Sequence, residues 1–373
     1  MSGIYLHIPF CDTKCIYCDF YSITNHTLKE RFLTALKKEI ISKAPDLNDR
    51  KFDTIFFGGG TPSLLSYDDF NSIFETLYFN YNISPESEIT IEANPGTLNR
   101  EKLAEFKKLP INRISFGVQS FIDSELKFLT RIHTAEEAVI SIKTAQDVGF
   151  DNINLDLIFA LPNQSLDNWK YNLETAISLN TRHISAYSLI FEEGTPLFNL
   201  RQNGKVNQAD IELEYQMFEY TMQYLSANGF IQYEISNYAK EGFQCRHNLK
   251  YWTHQEYIAF GPSASSFIGN KRWTNIRNLT KYVELIESGK DAVDFIETID
   301  EQTSIYEHIF LGLRSKGVEL AEFKSKFQID FREKYSAPVN ELVKEGFAEI
   351  ENDTFRLTSK GYSLCDEISS VYF

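Results

Sequence analysis

Short runs of apolar and β-branched residues recur along the first half of the chain, and each is followed by a segment with helical spacing. The first run covers residues 4–8, and the segment after it places Leu33, Leu36 and Ile40 on one helix face within 28–44. Five further runs follow, at residues 53–57, 88–92, 112–118, 152–158 and 183–190. Six such strand–helix units predict parallel strands with right-handed crossovers.

Glycine, proline and polar residues gather directly after these runs, as in Gly58-Gly59-Gly60-Thr61-Pro62 after the second run. In parallel α/β folds the carboxyl ends of the strands carry the ligands. A closed eightfold barrel would need two more units, so the pattern favours an open six-stranded partial barrel, (β/α)6, of the α/β class.

The second half of the chain changes character. A long helix is predicted over 206–228, then an extended run over 231–237, then irregular structure over 245–275. From about residue 295 the pattern predicts three helices, at 301–316, 318–327 and 331–345. A small hairpin follows, with strands at 347–350 and 354–358, and a last helix runs to Phe373. We therefore expect a barrel core at 1–230, a connecting segment at 231–290 and a small winged-helix-like domain at 291–373.

The net charge of −15 argues against a nucleic-acid partner and against binding to anionic lipid, since both need clustered Lys and Arg. A DNA-reading role for the winged-helix-like domain is disfavoured for the same reason. No apolar run approaches the roughly 20 residues of a membrane helix, and no signal peptide is recognised. The expected location is the cytoplasm, whose reducing conditions also suit five cysteines that form no disulfide framework.

Three cysteines follow the first strand: Cys11, Cys15 and Cys18. Thiolates this close on one loop can converge on a soft metal centre. A fourth cysteine is missing nearby, because Asp19 and Phe20 follow. Three thiolates on a four-iron cluster would leave one iron open to a small ligand. A structural zinc site and a chance grouping are the alternatives.

The cysteine spacing resembles that of the radical S-adenosylmethionine (SAM) superfamily. That resemblance implies a [4Fe-4S] cluster whose open iron is chelated by the amino and carboxylate groups of SAM. The whole chain further resembles the oxygen-independent coproporphyrinogen III oxidase family within that superfamily. The matching stretches include Tyr5-Leu6-His7-Ile8-Pro9-Phe10-Cys11, Ile114-Ser115-Phe116-Gly117-Val118-Gln119-Ser120 and Asn154-Leu155-Asp156-Leu157-Ile158.

Within the family the sequence is similar to a heme-chaperone branch. Cys18 is followed by Asp19-Phe20 where the oxidase has Gly-Cys, and the long N-terminal extension of the oxidase is missing. The segment from Cys245 to Trp252 contains His-Asn-x-x-Tyr-Trp, which the resemblance associates with heme. His247 offers an imidazole to iron, and Tyr251 with Trp252 offers flat apolar faces.

The residue chemistry of this segment alone favours a hydrogen-bonded histidine in a packed loop, and only the resemblance reverses that preference. Cys245 is a second candidate ligand or a buried inert thiol. Ser265 stands where relatives often carry His, which leaves the role of its loop in heme contact open.

The resemblance also implies a SAM pocket. Gly59 and Gly60 allow close backbone approach to a ligand. Arg131 could donate two parallel hydrogen bonds to a carboxylate or could simply cap a helix. The residues expected to line the pocket are Tyr5, Tyr17, Gly59, Gly60, Thr61, Glu92, Gln119, Arg131 and Asp156. Ordinary strand-end polarity is the alternative, and Tyr5 and Tyr17 could equally belong to the core.

Two functions follow from the resemblance. The first is a heme chaperone that holds heme, the cluster and SAM, and hands heme to acceptor proteins such as respiratory cytochromes, with peripheral contact to membrane proteins. The second is a coproporphyrinogen III dehydrogenase that decarboxylates two propionates by radical chemistry. Asp19-Phe20 and the short N-terminus favour the first. A radical SAM enzyme that acts on another substrate stays open.

Overall fold

Six parallel strands form the centre of the molecule, a computed structural model that describes residues 1–373. They are β1 Ser2–Ile8, β2 Lys51–Gly59, β3 Asn82–Ala93, β4 Arg113–Gln119, β5 Asn152–Phe159 and β6 His183–Ser188. The helices that follow them are α1 Lys29–Lys43, α2 Tyr67–Asn80, α3 Arg100–Phe106, α4 Asp123–Phe128, α5 Ala135–Asp147, α6 Leu166–Ser178, α7 Pro196–Gln202 and α8 Ile211–Ala227. The strands pair in chain order, which confirms the six predicted units.

Capping residues set where several helices begin. Ser66 before α2 and Thr134 before α5 each form a capping box, in which side chain and backbone satisfy each other's donors. Asp210 accepts a hydrogen bond from the backbone of Glu212, so α8 begins at Ile211 and not near the predicted residue 206.

The sheet stays open because β1 and β6 do not pair with each other. Their outer edges are covered instead by strands from the next part of the chain. That part comprises β7 Ile231–Gln232, β8 Asn237–Ala239, α9 Arg246–Trp252, β9 Tyr257–Phe260, β10 Ser265–Ile268, β11 Lys271–Asn275, α10 Leu279–Glu287 and β12 Val293–Thr298. β9 runs parallel to β1, and β8 runs antiparallel to β6. The full order is β12-β11-β10-β9-β1-β2-β3-β4-β5-β6-β8-β7.

Two predictions for this part were wrong. Residues 231–237 are not one extended run, because a bend at 234–236 separates β7 from β8 and lets them pair antiparallel. Residues 245–275 are not irregular, since they form α9 and three strands. These strands have four or five residues each, which is too short for alternation to be visible in the sequence.

A smaller module follows. It consists of α11 Glu301–Leu313, β13 Val318–Glu319, α12 Leu320–Phe327, α13 Phe331–Lys334, α14 Ser336–Lys344, β14 Ala348–Glu351, β15 Thr354–Leu357, α15 Ser359–Tyr362 and α16 Cys365–Tyr372. Its three strands form a separate sheet, as a winged-helix-like domain requires. The single helix predicted over 331–345 is divided at Tyr335, whose backbone leaves the helical region.

The module and the large sheet have separate apolar cores. Phe323 and Phe355 belong to the core of the module, whereas Ile258 and Tyr282 belong to the core of the large sheet. Arg272 of β11 pairs with Glu307 of α11 at 2.6 Å, which joins the two. The domain boundaries expected at 230 and 290 stay predictions.

The inner face of the six strands is polar. Side chains alternate between the two faces of a strand, and register pairs Glu92 of β3 with Ser115 of β4, and Ser115 with Asn154 of β5. The opposite face carries buried apolar residues such as Ile114 and Leu155 under the helices. A strand buried on both faces is usually apolar throughout, so the polar inner face indicates a ligand site.

Glu39 of α1 joins three elements of the sheet's edge. Its carboxylate is 1% exposed and accepts hydrogen bonds from the Gly261 amide, the Asn275 amide group at 2.6 Å and the Tyr282 hydroxyl at 2.6 Å. Burial raises the pKa of this carboxyl to about 6, although the three hydrogen bonds oppose the shift. The residue therefore fastens α10 and the β9–β11 strands to α1.

We predict that replacing Glu39 with Gln removes a pH-dependent part of the free energy of unfolding. A carboxyl whose pKa is raised by folding contributes stability that is fully present below its ordinary pKa near 4.5 and is lost as pH rises through about 6. Between pH 4.5 and 7 the wild type should lose about 2 kcal/mol relative to Glu39→Gln. Denaturant titrations at the two pH values measure this difference. The exposed Glu105→Gln is the control, and a Glu39→Gln profile parallel to wild type would contradict the prediction.

Candidate functional site

The cysteine loop follows β1 and is fastened at its base. The Cys11 amide donates to Ile23 O and the Ile23 amide donates to Pro9 O, which closes residues 11–22 into a loop. The Thr61 amide donates to Phe10 O at 2.7 Å, which ties the loop to the turn after β2. Two turns that are distant in sequence are therefore held against each other at the carboxyl end of the sheet.

The three thiols of this loop have half-exposed surroundings suited to a metal cluster. They form no disulfide. The Thr61 hydroxyl donates to Cys11 Sγ at 3.5 Å, and Arg131 Nη1 donates to Cys15 Sγ at 3.4 Å. Donors aimed at sulfur stabilise metal-bound thiolates. Burial raises the pKa of the Cys11 thiol, and it raises that of Cys18 to about 11.

As placed, the three side chains do not form a ready three-ligand metal site. Residues 11–18 form a loop without helix or strand. Metal ligation takes protons from thiols and orders the ligands. The chemistry of the donors fits an iron–sulfur cluster.

Two glycines after β2 permit close backbone contacts. Gly59 has φ +107°, and a Cβ there would lie 2.6 Å from the His7 ring. A Cβ on Gly60 would lie 2.6 Å from Phe10 O. Side chains at these positions would push the turn away from β1 and from the residue that precedes Cys11. The Gly59 amide also donates to Glu92 Oε2 at 3.2 Å, which links the turn to β3.

Two half-buried carboxyls, Glu92 on β3 and Asp156 on β5, line the inner face of the sheet. Burial raises the pKa of Glu92 to about 8, and the nearby charge of Asp156 adds to the shift. Burial also raises the pKa of Asp156, although hydrogen bonds from Ser185, Asn154 and Ser115 oppose the shift. Glu92 is therefore largely protonated at neutral pH, and a cation bound beside it would favour its ionised form.

Arg131 and Tyr17 lie near the cysteines. Arg131 Nη2 donates to Gly117 O at 2.5 Å and also to the Asn94 side chain, so its role is not that of a helix cap. Burial raises the pKa of Tyr17, and the charge of Arg131 opposes the shift. Gln119 ends β4 with φ 69°.

His247 of α9 projects into the inner face of the sheet, where it is 1% exposed. Its Nδ1 is 2.8 Å from Thr54 Oγ1 and its Nε2 is 2.8 Å from the Tyr251 hydroxyl. The ring stacks on Phe56 with 5.2 Å between centroids. Burial lowers the pKa of His247 to about 3, and the charge of Lys250 adds to the shift. The imidazole is therefore neutral, as iron ligation needs, but both ring nitrogens already have partners.

The other candidates in this segment differ from His247. Cys245 is fully buried, its thiol lies 3.6 Å from Glu88 Oε1, and burial raises its pKa to about 12. These are the surroundings of an inert thiol. Trp252 is half-buried at the end of α9. Ser265 shares a hydrogen bond with Thr274 at 2.8 Å.

A cavity of about 320 Å³ brings several of the predicted residues together. Its lining includes Tyr5, Gly59, Glu92, Asp156 and His247. An adjoining cavity of about 290 Å³ shares Tyr5, Phe20 and Tyr251 with it and reaches Ser265. The lining of neither cavity includes the three cysteines, Tyr17, Gly60, Thr61, Gln119 or Arg131, which lie around the cysteine loop and the strand ends.

The sequence reasoning missed several residues of the cavity. Phe20 is 68% exposed at its mouth, beside Asp19, which pairs with Arg277 at 3.0 Å. Inside, the missed residues are Phe56, Arg113, Ser115, Asn154, Ser185, Tyr187, Asn248 and Tyr251 in its role as partner of His247. The alternation of polar and apolar residues in Arg113-Ile114-Ser115-Phe116 was the signal that could have found the members on β4.

Comparison with known proteins defines the class to which this fold and site belong. The sequence pattern of the radical SAM superfamily matches residues 5–176, and that of the HemN C-terminal domain matches residues 299–364. The solved structure of coproporphyrinogen III oxidase (HemN) from Escherichia coli, a radical SAM enzyme, superposes with a TM-score of 0.85. It is 21% identical, and the match covers 100% of this chain and 90% of that one, so the likeness shows the fold. The predicted α/β partial barrel with a small C-terminal domain is confirmed.

Sequence relatives narrow the assignment. The heme chaperone HemW of Bacillus subtilis is 37% identical over 379 residues, which cover 100% of this chain and 99% of the relative. The heme chaperone HemW of Lactococcus lactis is 32% identical over 98% of this chain and 96% of its own. The chain belongs to the heme chaperone HemW family of radical SAM proteins. None of its helices has the length and apolar character that crossing a membrane requires.

We predict that SAM binding by the cluster-loaded protein strengthens as pH rises from 7 to 9. If the cation of SAM favours the ionised form of Glu92, whose pKa is about 8, the apparent affinity should rise roughly 10-fold over this range. Equilibrium dialysis of SAM against wild type and Glu92→Gln measures the effect.

The amino group of SAM titrates in the same range, so the difference between the two proteins is the readout. Glu92→Gln should bind more weakly than wild type at pH 9 and lack the added pH dependence. Glu101→Gln on the exposed start of α3 is the control. Identical pH profiles for wild type and Glu92→Gln would place the SAM cation away from Glu92.

Proposed function

We propose that this chain is a heme chaperone that binds heme, carries a [4Fe-4S] cluster and SAM, and delivers heme to acceptor proteins. The observation that carries the proposal is the cavity in which Gly59 and Glu92, of the SAM-type set, lie with His247 of the heme-associated segment. Full-length similarity to proteins named heme chaperone supports it.

In this proposal the residues around the cysteine loop and the turn after β2 hold the cluster and SAM. When bound, the cluster and SAM supply one-electron chemistry at the carboxyl end of the sheet. Thr61 and Arg131 donate to the sulfur ligands, and the two glycines keep the turn after β2 close to them. The cluster ligands are Cys11, Cys15 and Cys18, and the SAM contacts are Tyr5, Tyr17, Gly59, Gly60, Thr61, Glu92, Gln119, Arg131 and Asp156.

In this proposal heme occupies the wall of the cavity that carries His247. His247 is neutral and faces aromatic neighbours, but Tyr251 holds its Nε2. Iron ligation by His247 therefore requires the Tyr251 hydroxyl to move away first. The Tyr251 ring packs edge-on against Tyr257, with 4.6 Å between centroids, at the border of the two cavities.

The proposal also concerns the proteins that accept heme from this chain. Respiratory cytochromes are the proposed recipients, with peripheral contact to membrane proteins at the site of delivery. The acidic charge of −15 supports a protein partner over a nucleic acid. Mixing heme-loaded protein with an apo-cytochrome and following the spectrum of the acceptor tests the transfer.

We predict saturable one-to-one heme binding by anaerobically reconstituted protein, followed at the Soret band. His247→Ala should weaken binding about 10-fold or shift the band, because it removes a ligand to iron. Tyr251→Phe keeps the ring but frees Nε2 of His247, so it should tighten binding or speed its onset.

His308→Ala in the C-terminal module is the control for loss of a buried histidine. Absence of saturable binding in the wild type would refute the chaperone proposal, and anaerobic turnover of coproporphyrinogen III would then be assayed. Binding that is unchanged in both His247→Ala and Tyr251→Phe would keep the chaperone function but move the ligand elsewhere.

A further inference from the structure

Arg113 is a buried arginine on the inner face of the sheet, at the first position of β4. It is 1% exposed, and it lines the same cavity as His247 and Asp156. Its register partners are Thr90 on β3 and Asn152 on β5. The side chain thus lies deep inside the open barrel, at the end of the strands away from the cysteine loop.

The Nε of Arg113 is buried and has no hydrogen-bond partner. Burial acts to lower the pKa of the guanidinium, but nearby charges, those of Glu88 and Asp156 among them, are near enough to raise it. The acidic groups around it are engaged elsewhere. Glu88 accepts from the His247 amide at 3.2 Å and from the Cys245 thiol. Asp156 accepts from Ser115 and Asn154, at 3.2 and 2.7 Å.

An unpaired buried guanidinium is costly, because it is charged in proteins at all ordinary pH values and has five donors to satisfy. The Thr90 hydroxyl and the side-chain amide oxygen of Asn152, at the same level of the sheet, also have no partner. Natural structures leave few such groups unsatisfied without a reason. An anion with two oxygens matches the fork of donors on an arginine.

We propose that Arg113 is the receptor for a carboxylate of the cargo, a propionate of heme, which it binds inside the barrel. The inference rests on the proposed function and deepens it by assigning one end of the heme. A buried propionate and a buried guanidinium each carry a large desolvation cost, and pairing offsets both. The ring then lies toward Phe56, Tyr251 and the mouth at Phe20, which line the same cavity.

The carboxylate of SAM is a poor occupant of this position. Gln119, at the other end of β4, lies roughly 20 Å from Arg113 at about 3.3 Å per residue. The turn with Gly60 and Thr61 and the cysteine loop lie at that far end. The carboxylate of SAM, if held at the cluster, would therefore lie away from Arg113.

The test compares heme with heme dimethyl ester, whose propionates are masked, in Soret titrations of the full-length cluster-loaded protein. Arg113→Gln should bind heme about 10-fold to 100-fold more weakly than wild type, the usual effect of losing a charged hydrogen bond. Arg113→Lys should recover part of the loss. The dimethyl ester should bind wild type weakly, and Arg113→Gln should cause no further loss, as a double-mutant cycle requires.

Arg182→Gln is the matched control, because Arg182 pairs with Asp151 on the surface near the start of β6. Equal loss for heme and the ester in Arg113→Gln would mark Arg113 as purely structural and overturn the inference. Heme binding by Arg113→Gln equal to that of wild type would overturn it while leaving the chaperone function intact. Failure of wild type to bind heme would refute both.

Thermal unfolding and SAM binding would reveal a failure of the Arg113→Gln protein to fold. In that case the affinities of the wild type for heme and for heme dimethyl ester test the proposal. Equal affinity of wild type for heme and for its dimethyl ester would overturn the proposal. If a buried water molecule, and not a propionate, satisfied Arg113, masking the propionates would leave the affinity for heme unchanged.

Discussion

Polar groups that a parallel sheet turns inward lose their contact with water and need hydrogen-bond partners in the protein or a ligand, and much of this structure follows from that constraint. Asn154 shows how the chain meets it: its amide donates to Ser115 and Asp156 at 2.7 Å, and its oxygen lies 3.2 Å from the Ser185 hydroxyl. Ser185 donates in turn to Asn237 of β8. The inner network therefore reaches across the open edge of the barrel, and the strands after α8 are part of the same polar system. Networks of this kind stabilise only when every member is satisfied.

The same constraint explains why α9 belongs inside the barrel. His247 meets Thr54 on the inner face of β2, and its backbone amide meets Glu88 on β3. The segment from Cys245 to Trp252, to which the proposed function assigns heme, is thus a structural part of the barrel interior. A histidine whose two ring nitrogens both have hydrogen-bond partners is held in place. It can ligate iron only after one of those partners has moved away.

The parts that could be predicted from the sequence are those set by local signals. The six strand–helix units follow from apolar runs that are each followed by a segment with helical spacing. The cysteine triad and the glycine turn follow from spacing within a few residues. The strands after α8 could not be predicted, because β9 pairs with β1 and is defined by a partner more than two hundred residues away. Arg113 was missed for a related reason. Its importance depends on which groups lie beside it across β3 and β5, and strand pairing alone decides that.

The pairing of β1 with β9 has a consequence for synthesis of the chain. The strand that carries the cysteine loop has one edge that stays uncovered until Tyr257–Phe260 leave the ribosome. At about 5–20 residues per second, that interval lasts roughly 10–50 s. An uncovered edge can pair with a neighbouring chain. The nascent protein therefore carries its three cysteines on an incomplete sheet for much of its translation, and metal loading at that time would act on a partly folded chain.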